Sequence, residues 1–435
     1  MQNFEVEGGK KLKGNISVNG SKNATVAILA AAMINKGVTT LKNVPQIEEV
    51  NRWIEILESI GVGVEREGKS IRLNPPEKID IEKIDEDSAK KTRSAIMLIS
   101  SLIRNSKNYL IPQAGGCKLG ERTIRPHFFA IEKFGIEIDI REDGFEVNSE
   151  KFKPAEKVVL YESGDTVTET AIIAAAQRPE KTTIKMATGN YMVQDLCFFL
   201  EKLGVEIKGI GNSTLEITGL EKINKDIEYE ISEDPIEAMF FISLAITTRS
   251  DLKIERCPIE FLELELLKLE KMGQRYNILK EYKSENGKTD LVDLEIIPSE
   301  LKAPEDKIHG LPFPGINMDN LPFFVPIVSI AEGRTLIHDW SFENRAIYFL
   351  DLNRLGANIS LLDPHRVYVE GPVEFKPAEM MSPPALRPAA IMLVAMLAAP
   401  GKSVLRDVYS INRGYENLEE RLESIGAKIR LIESA

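Results

Sequence analysis

The sequence predicts an α/β protein in which one structural unit is repeated six times. Three observations predict this class: a recurring glycine that ends a helix-like segment, a short strand pattern ahead of each glycine, and a long apolar run ahead of each strand. Successive glycines are 69 to 83 residues apart. They are Gly61, Gly135, Gly204, Gly273, Gly356 and Gly426.

Each unit starts with a run of Ala, Ile, Leu or Met that is too apolar on all sides to be a surface helix. A strand follows, then an amphipathic helix that the glycine ends, then two alternating segments that indicate a hairpin. We therefore expect buried helices inside and sheets outside. The buried helices are predicted to begin at Asn23, Thr92, Thr168, Asp234, Asn320 and Leu386.

The composition indicates an ordinary globular protein with room for two or three domains, so six units divide naturally into three and three. The 435 residues are 43% hydrophobic, and the longest apolar runs are too short to span a bilayer. The amino-terminal residues lack the basic and apolar regions of an export signal, so we expect a cytoplasmic protein without a membrane partner. A net charge of −12 without a basic block argues against nucleic-acid binding.

Metal and nucleotide-cofactor sites have no support in the sequence. The three cysteines and four scattered histidines lack metal-ligand spacing, which favours a reducing compartment and no metal. Glycine-rich loops that bind dinucleotides or nucleoside triphosphates are absent. We therefore expect no cofactor.

A glycine-rich loop in the second unit makes that unit longer than the repeat requires. It runs from Pro112 to Arg122 and contains Cys117 between glycines, with Lys118 and Arg122 nearby. Neighbouring cations favour the reactive thiolate. The alternative is a surface loop with an incidental cysteine. Cys197 lies in an apolar helix and is predicted to be a core residue, whereas Cys257 carries no signal.

Charged or polar residues stand at the starts of the buried helices. If three parallel helices share each domain, their amino-terminal ends converge, and the helix dipoles attract anions there. The alternative for each single residue is a solvated helix end. The residues are Lys22, Asn23, Arg93, Asp234, Asp319, Asn320 and Arg387.

These positions, with several others, closely resemble the UDP-N-acetylglucosamine enolpyruvyl transferase family. The resemblance covers essentially the whole chain, and the related enolpyruvylshikimate phosphate synthases share the six-unit plan but lack the cysteine loop. The matching segments are Ser21-Lys22-Asn23-Ala24, Thr92-Arg93-Ser94, Gly115-Gly116-Cys117, Phe342-Glu343-Asn344-Arg345, Leu386-Arg387 and Arg413-Gly414-Tyr415-Glu416.

The resemblance implies two inverse α/β-barrel-like domains, each of three βαβαββ units, with the active site in the cleft between them. One domain would comprise residues 1–21 and 233–435 and the other residues 22–232. The implied reaction moves the enolpyruvyl group of phosphoenolpyruvate to the 3-hydroxyl of UDP-N-acetylglucosamine, without a metal. It is the first committed step of peptidoglycan synthesis. The implied partners are these small molecules, and the chain would be a monomer or a weak homo-oligomer.

Residue roles follow from the same resemblance, and the chemistry suits them. A net-acidic protein needs a local cationic cluster to hold phosphate and carboxylate groups. Asp319 would take the proton of the acceptor hydroxyl, and Cys117 would act as the acid or in product release. The phosphoenolpyruvate site would use Lys22, Arg122, Arg387 and Arg413, of which Lys22 and Arg413 are also catalytic. The acceptor site would use Asn23, Arg93, Arg122, His127, Asp319 and Arg345.

The acceptor half of the site departs from the family pattern. Glu162 and Asp165 replace a cation and a neutral residue near the diphosphate, Ala385 replaces an aspartate, and Asn190 and Met192 replace glutamates. Two alternatives therefore stay open. The chain is either a divergent paralogue with another sugar or nucleotide acceptor, or a catalytically weak binding protein of the same fold.

Overall fold

The computed structural model describes residues 2–113, 115 and 123–433. These residues divide into two compact units. The terminal unit comprises residues 2–19 and 233–433, and the central unit comprises residues 20–113, 115 and 123–232. The first crossing between the units lies after Asn19, two residues before the predicted one, and the second lies after Ser232. The predicted active-site cleft stays a prediction.

The strands of the described residues are short, and most have four to six residues. In chain order they are β1 (Gln2–Gly8), β2 (Lys13–Ser17), β3 (Thr39–Lys42), β4 (Gly63–Glu67), β5 (Ser70–Asn74), β6 (Asn108–Pro112), β7 (Glu137–Ile140), β8 (Gly144–Asn148), β9 (Lys157–Val159), β10 (Lys181–Lys185), β11 (Glu206–Lys208), β12 (Thr214–Thr218), β13 (Ile227–Glu230), β14 (Asp251–Pro258), β15 (Arg275–Lys283), β16 (Asp290–Ile297), β17 (Ile308–His309), β18 (Gly333–His338), β19 (Ile359–Asp363), β20 (Arg366–Gly371), β21 (Glu379–Met381), β22 (Gly401–Arg406) and β23 (Lys428–Glu433).

Helices alternate with these strands. The α-helices are α1 (Lys22–Ala32), α2 (Glu48–Ser59), α3 (Glu86–Lys91), α4 (Leu98–Ser101), α5 (Arg125–Glu132), α6 (Asp165–Ala176), α7 (Tyr191–Leu203), α8 (Pro235–Thr247), α9 (Glu263–Lys271), α10 (Phe324–Ser329), α11 (Leu386–Ala398), α12 (Tyr409–Asn412) and α13 (Leu418–Ser424). The 3₁₀ segments are Ile81–Lys83, Arg93–Met97, Ile259–Phe261, Leu321–Phe323 and Ala346–Leu355. None of the helices in the described ranges is long and apolar enough to cross a membrane.

Each unit holds three small sheets around three mutually packed apolar segments. The sheets of the central unit have the orders β13-β3-β5-β4, β6-β8-β7 and β11-β12-β10-β9, and α1, α4 and α6 pack together there. The sheets of the terminal unit have the orders β15-β16-β14-β2, β17-β18-β20-β19 and β21-β22-β1-β23, and α8, α10 and α11 pack together. This arrangement confirms the predicted fold class, with apolar helices inside three sheets in each unit.

The sixth repeat completes its hairpin with the amino-terminal strand. In five repeats the two strands after the glycine pair with each other in antiparallel fashion. In the sixth repeat β23 pairs instead with β1, which also pairs with β22. The two chain ends are therefore neighbouring strands of one sheet.

All six predicted terminating glycines adopt left-handed backbone conformations. Their φ angles range from +77° at Gly135 to +105° at Gly204. A side chain is strained in this region, so glycine is the residue that lets the chain leave the helix and enter the next strand. The predicted role of these glycines is confirmed.

Two of these glycines are expected to differ in their tolerance of alanine. A Cβ atom at Gly426 would meet no heavy atom within 4 Å, whereas one at Gly135 would lie 2.3 Å from the Lys151 carbonyl oxygen. We expect Gly426→Ala to cost about 1 kcal/mol of unfolding free energy through backbone strain alone. Gly135→Ala is expected to cost more because the Lys151 backbone must also move. Urea unfolding of both variants checks this, and equal losses would contradict it.

The apolar runs form the buried helices, but two of the six are irregular. α8 begins at Pro235 with every residue buried, and α11 begins at Leu386 as predicted. The runs predicted from Thr92 and Asn320 start instead as the 3₁₀ segments Arg93–Met97 and Leu321–Phe323, each followed by a short α-helix. Prolines at 322 and 326 explain the second case, because proline lacks the N–H that a regular helix needs.

Candidate active site

Asp319 lies in a turn of the terminal unit that is held by surrounding polar groups. Its backbone N–H donates to the Asn317 side chain at 2.8 Å, and the buried Glu265 accepts hydrogen bonds from the Asn317 backbone and the Asn320 side chain at 3.1 and 2.9 Å. The Asp319 carboxylate lies 3.2 Å from Arg345 Nη1 and 3.5 Å from Arg387 Nη2, and its side chain is 30% exposed. The carboxylate is therefore both reachable and fixed in direction.

Arg345 is a fully buried cation whose hydrogen bonds are made within the terminal unit. Its Nε and Nη2 donate to the two carboxylate oxygens of Asp339, at 2.5 and 2.9 Å. Nη2 also donates to the Met318 carbonyl at 2.5 Å, and the guanidinium lies 3.7 Å from the centre of the Phe342 ring. Its predicted contact with the acceptor stays a prediction.

Arg387 lies in the first turn of α11, and its side chain is only 8% exposed. Its Nη1 donates to the Tyr415 hydroxyl at 3.2 Å. Burial raises the pKa of the neighbouring Asp234 carboxyl, and the positive charge of Arg387 opposes that rise. Asp234 caps α8 by accepting from the backbone N–H groups of Ile236 and Glu237. The starts of two buried helices and the Asp319 turn thus meet in one place, as the sequence predicts for this unit.

Arg413 lies at the end of α12, beside a loop that packs against the start of α11. It forms the carboxy-terminal cap of α12 and is half-buried. A Cβ atom at Gly414 would lie 2.3 Å from the Leu386 side chain, so glycine allows this loop to lie against the start of α11. Tyr415, two residues after Arg413, makes the bond to Arg387. The role of Arg413 in binding phosphoenolpyruvate stays a prediction.

In the central unit, Lys22 and Asn23 occupy the first turn of α1. Ser21 caps this helix by accepting from the Ala24 N–H, and Lys22 Nζ donates to Asn23 Oδ1 at 3.1 Å. Asn23 Nδ2 donates to the hydroxyl of Tyr191 at 2.9 Å, at the start of α7. Both side chains are half-buried, so the amino-terminal ends of α1 and α7 form a polar surface within this unit.

Arg93 and His127 also lie close together in the central unit. His127 is 4% exposed, and burial together with the positive charge of Arg93 lowers its pKa to about 4. Its Nδ1 lies 3.2 Å from the Ile124 carbonyl oxygen, and among the described residues its Nε2 has no hydrogen-bond partner. His127 is therefore neutral at pH 7 and supplies a hydrogen bond rather than a charge.

Cys117 and Arg122, the two site residues predicted in the long loop, lie outside the described residues. The described part of this loop includes Gly115, where a Cβ atom would lie 1.6 Å from the Lys90 carbonyl oxygen. A side chain there would collide with the end of α3, so glycine is required at this position of the loop. Cys197 and Cys257 are fully buried free thiols, which confirms Cys197 as a core residue.

Alkylation is expected to separate Cys117 from the other two cysteines. Burial raises the pKa of both the Cys197 and the Cys257 thiols, so neither supplies thiolate at neutral pH. We expect fosfomycin, an epoxide phosphonate that mimics phosphoenolpyruvate, to label Cys117 alone, as read by peptide mass spectrometry. Cys117→Ser is the control and should remain unlabelled. Label on either buried cysteine, or none on Cys117 at saturating reagent, would contradict the proposed site.

The substituted acceptor positions form a carboxylate cluster at the start of α6. Asp165 is the first residue of this helix, and its two oxygens accept from Asn190 Nδ2 at 3.2 and 3.3 Å. Glu169, one turn later, is buried, and its pKa is raised well above the usual value by burial and by Asp165. Glu162 is exposed. The helix dipole and Asn190 stabilise the Asp165 anion, which occupies the place where a helix start otherwise attracts a phosphate.

Ala385 precedes α11 as its amino-terminal cap and makes no side-chain capping bond. An aspartate at this position would cap the helix in the usual way. In this chain the first turn of α11 therefore carries the Arg387 charge without a neighbouring acidic cap.

Asp339 and Tyr191 are the site residues that sequence reasoning missed. Asp339 follows strand β18 directly and lies six residues before Arg345, a spacing that carries no recognised signal by itself. Tyr191 follows Asn190, which the sequence singled out only as a departure. No group of three or more His, Cys, Asp or Glu side chains is placed to hold a metal ion within residues 2–113, 115 and 123–433.

Comparison with known proteins defines the class to which this fold and site belong. The family model of EPSP synthase (3-phosphoshikimate 1-carboxyvinyltransferase) matches residues 6–422. The chain belongs to this family of carboxyvinyl transferases. Among solved structures, it is similar to the enolpyruvyl transferase NikO from Streptomyces tendae, with a TM-score of 0.86 and 22% identity over 100% of this chain and 99% of that chain.

Within the family, curated relatives that share one name match nearly the full length of the chain. The UDP-N-acetylglucosamine 1-carboxyvinyltransferase of Treponema denticola is 34% identical over 100% of both chains. The protein of the same name from Bradyrhizobium diazoefficiens is 32% identical over 99% of this chain and 98% of its own. EPSP synthase from Acinetobacter baumannii has a TM-score of 0.76 at 17% identity over 100% of both chains. The predicted family resemblance is confirmed.

Proposed function

We propose that this protein transfers the enolpyruvyl group of phosphoenolpyruvate to the 3-hydroxyl of UDP-N-acetylglucosamine and releases phosphate. This is the first committed step of peptidoglycan synthesis, carried out in the cytoplasm for cell wall biogenesis. Full-length similarity to UDP-N-acetylglucosamine 1-carboxyvinyltransferases supports UDP-N-acetylglucosamine as the acceptor. The observation that carries the chemistry is the Asp319 carboxylate, which is exposed enough to meet a substrate and is held between Arg345 and Arg387.

Asp319 takes the proton of the acceptor hydroxyl while that oxygen forms a bond to carbon 2 of phosphoenolpyruvate. Carbon 3 gains a proton in the same addition, and Cys117 is the proposed source. Elimination then returns the proton from carbon 3 and breaks the bond between carbon 2 and the phosphate oxygen, which restores the double bond. Lys22, Arg122, Arg387 and Arg413 hold the phosphate and carboxylate charges through these steps.

Phosphate release from phosphoenolpyruvate tests the proposal. Purified protein is given phosphoenolpyruvate with UDP-N-acetylglucosamine, with other nucleotide sugars, or with shikimate 3-phosphate, and the product is identified by mass spectrometry. The expected result is release with UDP-N-acetylglucosamine and a product that is heavier by one enolpyruvyl group. Release only with another acceptor would overturn the proposed substrate but keep the reaction. No release with any acceptor would favour a binding protein.

A second candidate, a paralogue with another acceptor, is favoured by the carboxylates at the start of α6. Asp165 is held as an anion there by Asn190, and Glu162 lies three residues before it. Both oppose a diphosphate, so an acceptor that is neutral or cationic at this point would suit the site better. The panel of acceptors in the same assay separates this candidate from the first.

A further inference from the structure

We propose that Asp339 is a positioning residue that acts through Arg345 to fix the direction and the charge of Asp319. This inference rests on the proposed role of Asp319 as the proton acceptor. Asp339 belongs to none of the sequence motifs that indicate the reaction, and its side chain is completely buried. Its two oxygens both accept from Arg345, and because the side chain is not exposed, Asp339 does not contact a substrate directly.

The geometry makes Arg345 a bridge between two carboxylates. Nε and Nη2 of Arg345 grip Asp339 in the bidentate manner that fixes the plane of a guanidinium. That plane directs Nη1 toward Asp319 Oδ1 at 3.2 Å and directs Nη2 toward the Met318 carbonyl at 2.5 Å. Arg345 therefore holds both the carboxylate of Asp319 and the backbone immediately before it.

Other residues also hold the turn that carries Asp319, so Arg345 is one of several groups that fix the direction of its carboxylate. Glu265 accepts hydrogen bonds from the Asn317 backbone and the Asn320 side chain, and Arg387 contacts the second oxygen of Asp319 at 3.5 Å. The Asp319 carboxylate therefore cannot rotate without breaking its contact with Arg345 or with Arg387. Pre-positioned groups of this kind reduce the reorganisation that accompanies proton transfer.

Asp339 also sets how strongly Arg345 acts on Asp319. The positive charge of Arg345 is shared with Asp339, which leaves less of it to stabilise the Asp319 anion. Other charged or titratable groups here are Arg387, which faces Asp319, Asp234 beside Arg387, and His365, which faces Asp339. Burial raises the pKa of Asp339, Arg345 opposes that rise, and the charge of Asp319 adds to it, so the two carboxylates interact.

Two variants are expected to change the pH dependence of turnover in opposite directions. Asp339→Asn frees the charge of Arg345 to act on Asp319 alone, which lowers the pKa of Asp319 and moves the acid limb of kcat/KM to lower pH. Asp339→Asn combined with Arg345→Met removes both charges. Arg345 is the nearer of the two to Asp319, so its loss dominates, the pKa of Asp319 rises and the acid limb moves to higher pH. Each shift should be about one pH unit. Both variants should lower kcat about tenfold or more, because Asp319 is less well directed.

The double variant also guards against a folding artefact. Asp339→Asn leaves a buried cation with one partner fewer, which is strongly destabilising, whereas removing a buried pair together is often neutral. If Asp339→Asn does not fold, the double variant is compared with Arg345→Met alone, and an acid limb at lower pH in the double variant supports the inference, because only the charge of Asp339 differs between the two. Glu379→Gln, which breaks the exposed contact with Arg406 in the same unit, is the control and should leave the profile unchanged.

A structural role alone would lower the unfolding midpoint without moving the acid limb, and that result would overturn the inference. Shifts of both variants in the same direction would also overturn it. The wild-type protein is measured in the same assay. Absence of wild-type phosphate release with every acceptor would refute the proposed function, whereas release with unshifted variants would refute only the role of Asp339.

Discussion

Asp319→Asn is expected to lower kcat by about 10² to 10⁴, the range that a positioned general base contributes. The amide keeps the size of the side chain but cannot accept the hydroxyl proton as the carboxylate does. Binding of phosphoenolpyruvate should change little, because Lys22 and Arg413 carry that contact in the proposed site. Steady-state phosphate release, with the enzyme saturated in both substrates, gives the change in kcat.

The control for this variant is a second aspartate that is paired with a cation. Asp290 accepts from Lys283 at 2.7 Å on an exposed hairpin of the same unit. Asp290→Asn should leave kcat unchanged. Unfolding curves of both variants separate a loss of chemistry from a loss of folded protein, since Asp319→Asn leaves Arg345 and Arg387 beside an uncharged amide. A kcat within about threefold of wild type would show that another group takes the proton.

Glu162→Lys combined with Asp165→Val is expected to tighten binding of UDP-N-acetylglucosamine by on the order of a hundredfold at low salt. Two like charges within several ångströms of a diphosphate oppose binding by roughly a few kcal/mol, even at an effective dielectric constant near 20. Asp165 should account for most of the effect, because it is half-buried whereas Glu162 is exposed and screened by solvent. The gain should diminish at high salt. Titration calorimetry at two salt concentrations measures it.

The matched control changes the same charge elsewhere in the central unit. Glu77 is exposed in a connection after β5, and Glu77→Lys should leave the affinity unchanged. The single variants then divide the effect between the two carboxylates. Tight binding by the wild-type protein that the double substitution weakens would show that these carboxylates do not oppose the diphosphate, and would favour the ordinary cell-wall acceptor.

The repeat could be predicted from the sequence because each of its parts is a local signal. A glycine at +90° after an amphipathic helix, as at Gly356 or Gly426, is specified by backbone sterics within a few residues. The all-round apolar character of α8 and α11 similarly requires burial wherever these helices pack. The irregular start at Arg93 has no comparable local signal, because the segment Arg93–Met97 contains no proline.

The sequence by itself determined the class of protein, the six-part repeat and most residues of the proposed site, because motifs and periodicity depend only on residues that are close together in the sequence. Only the tertiary structure decided what those residues contact. Asp319 contacts Arg387, which is 68 positions away in the sequence. In the sixth repeat β23 pairs with the amino-terminal strand β1, and the buried Arg345 pairs with Asp339. Ion pairing and strand pairing depend on distance in space, and a linear pattern does not specify which charges and strands the folded chain brings together.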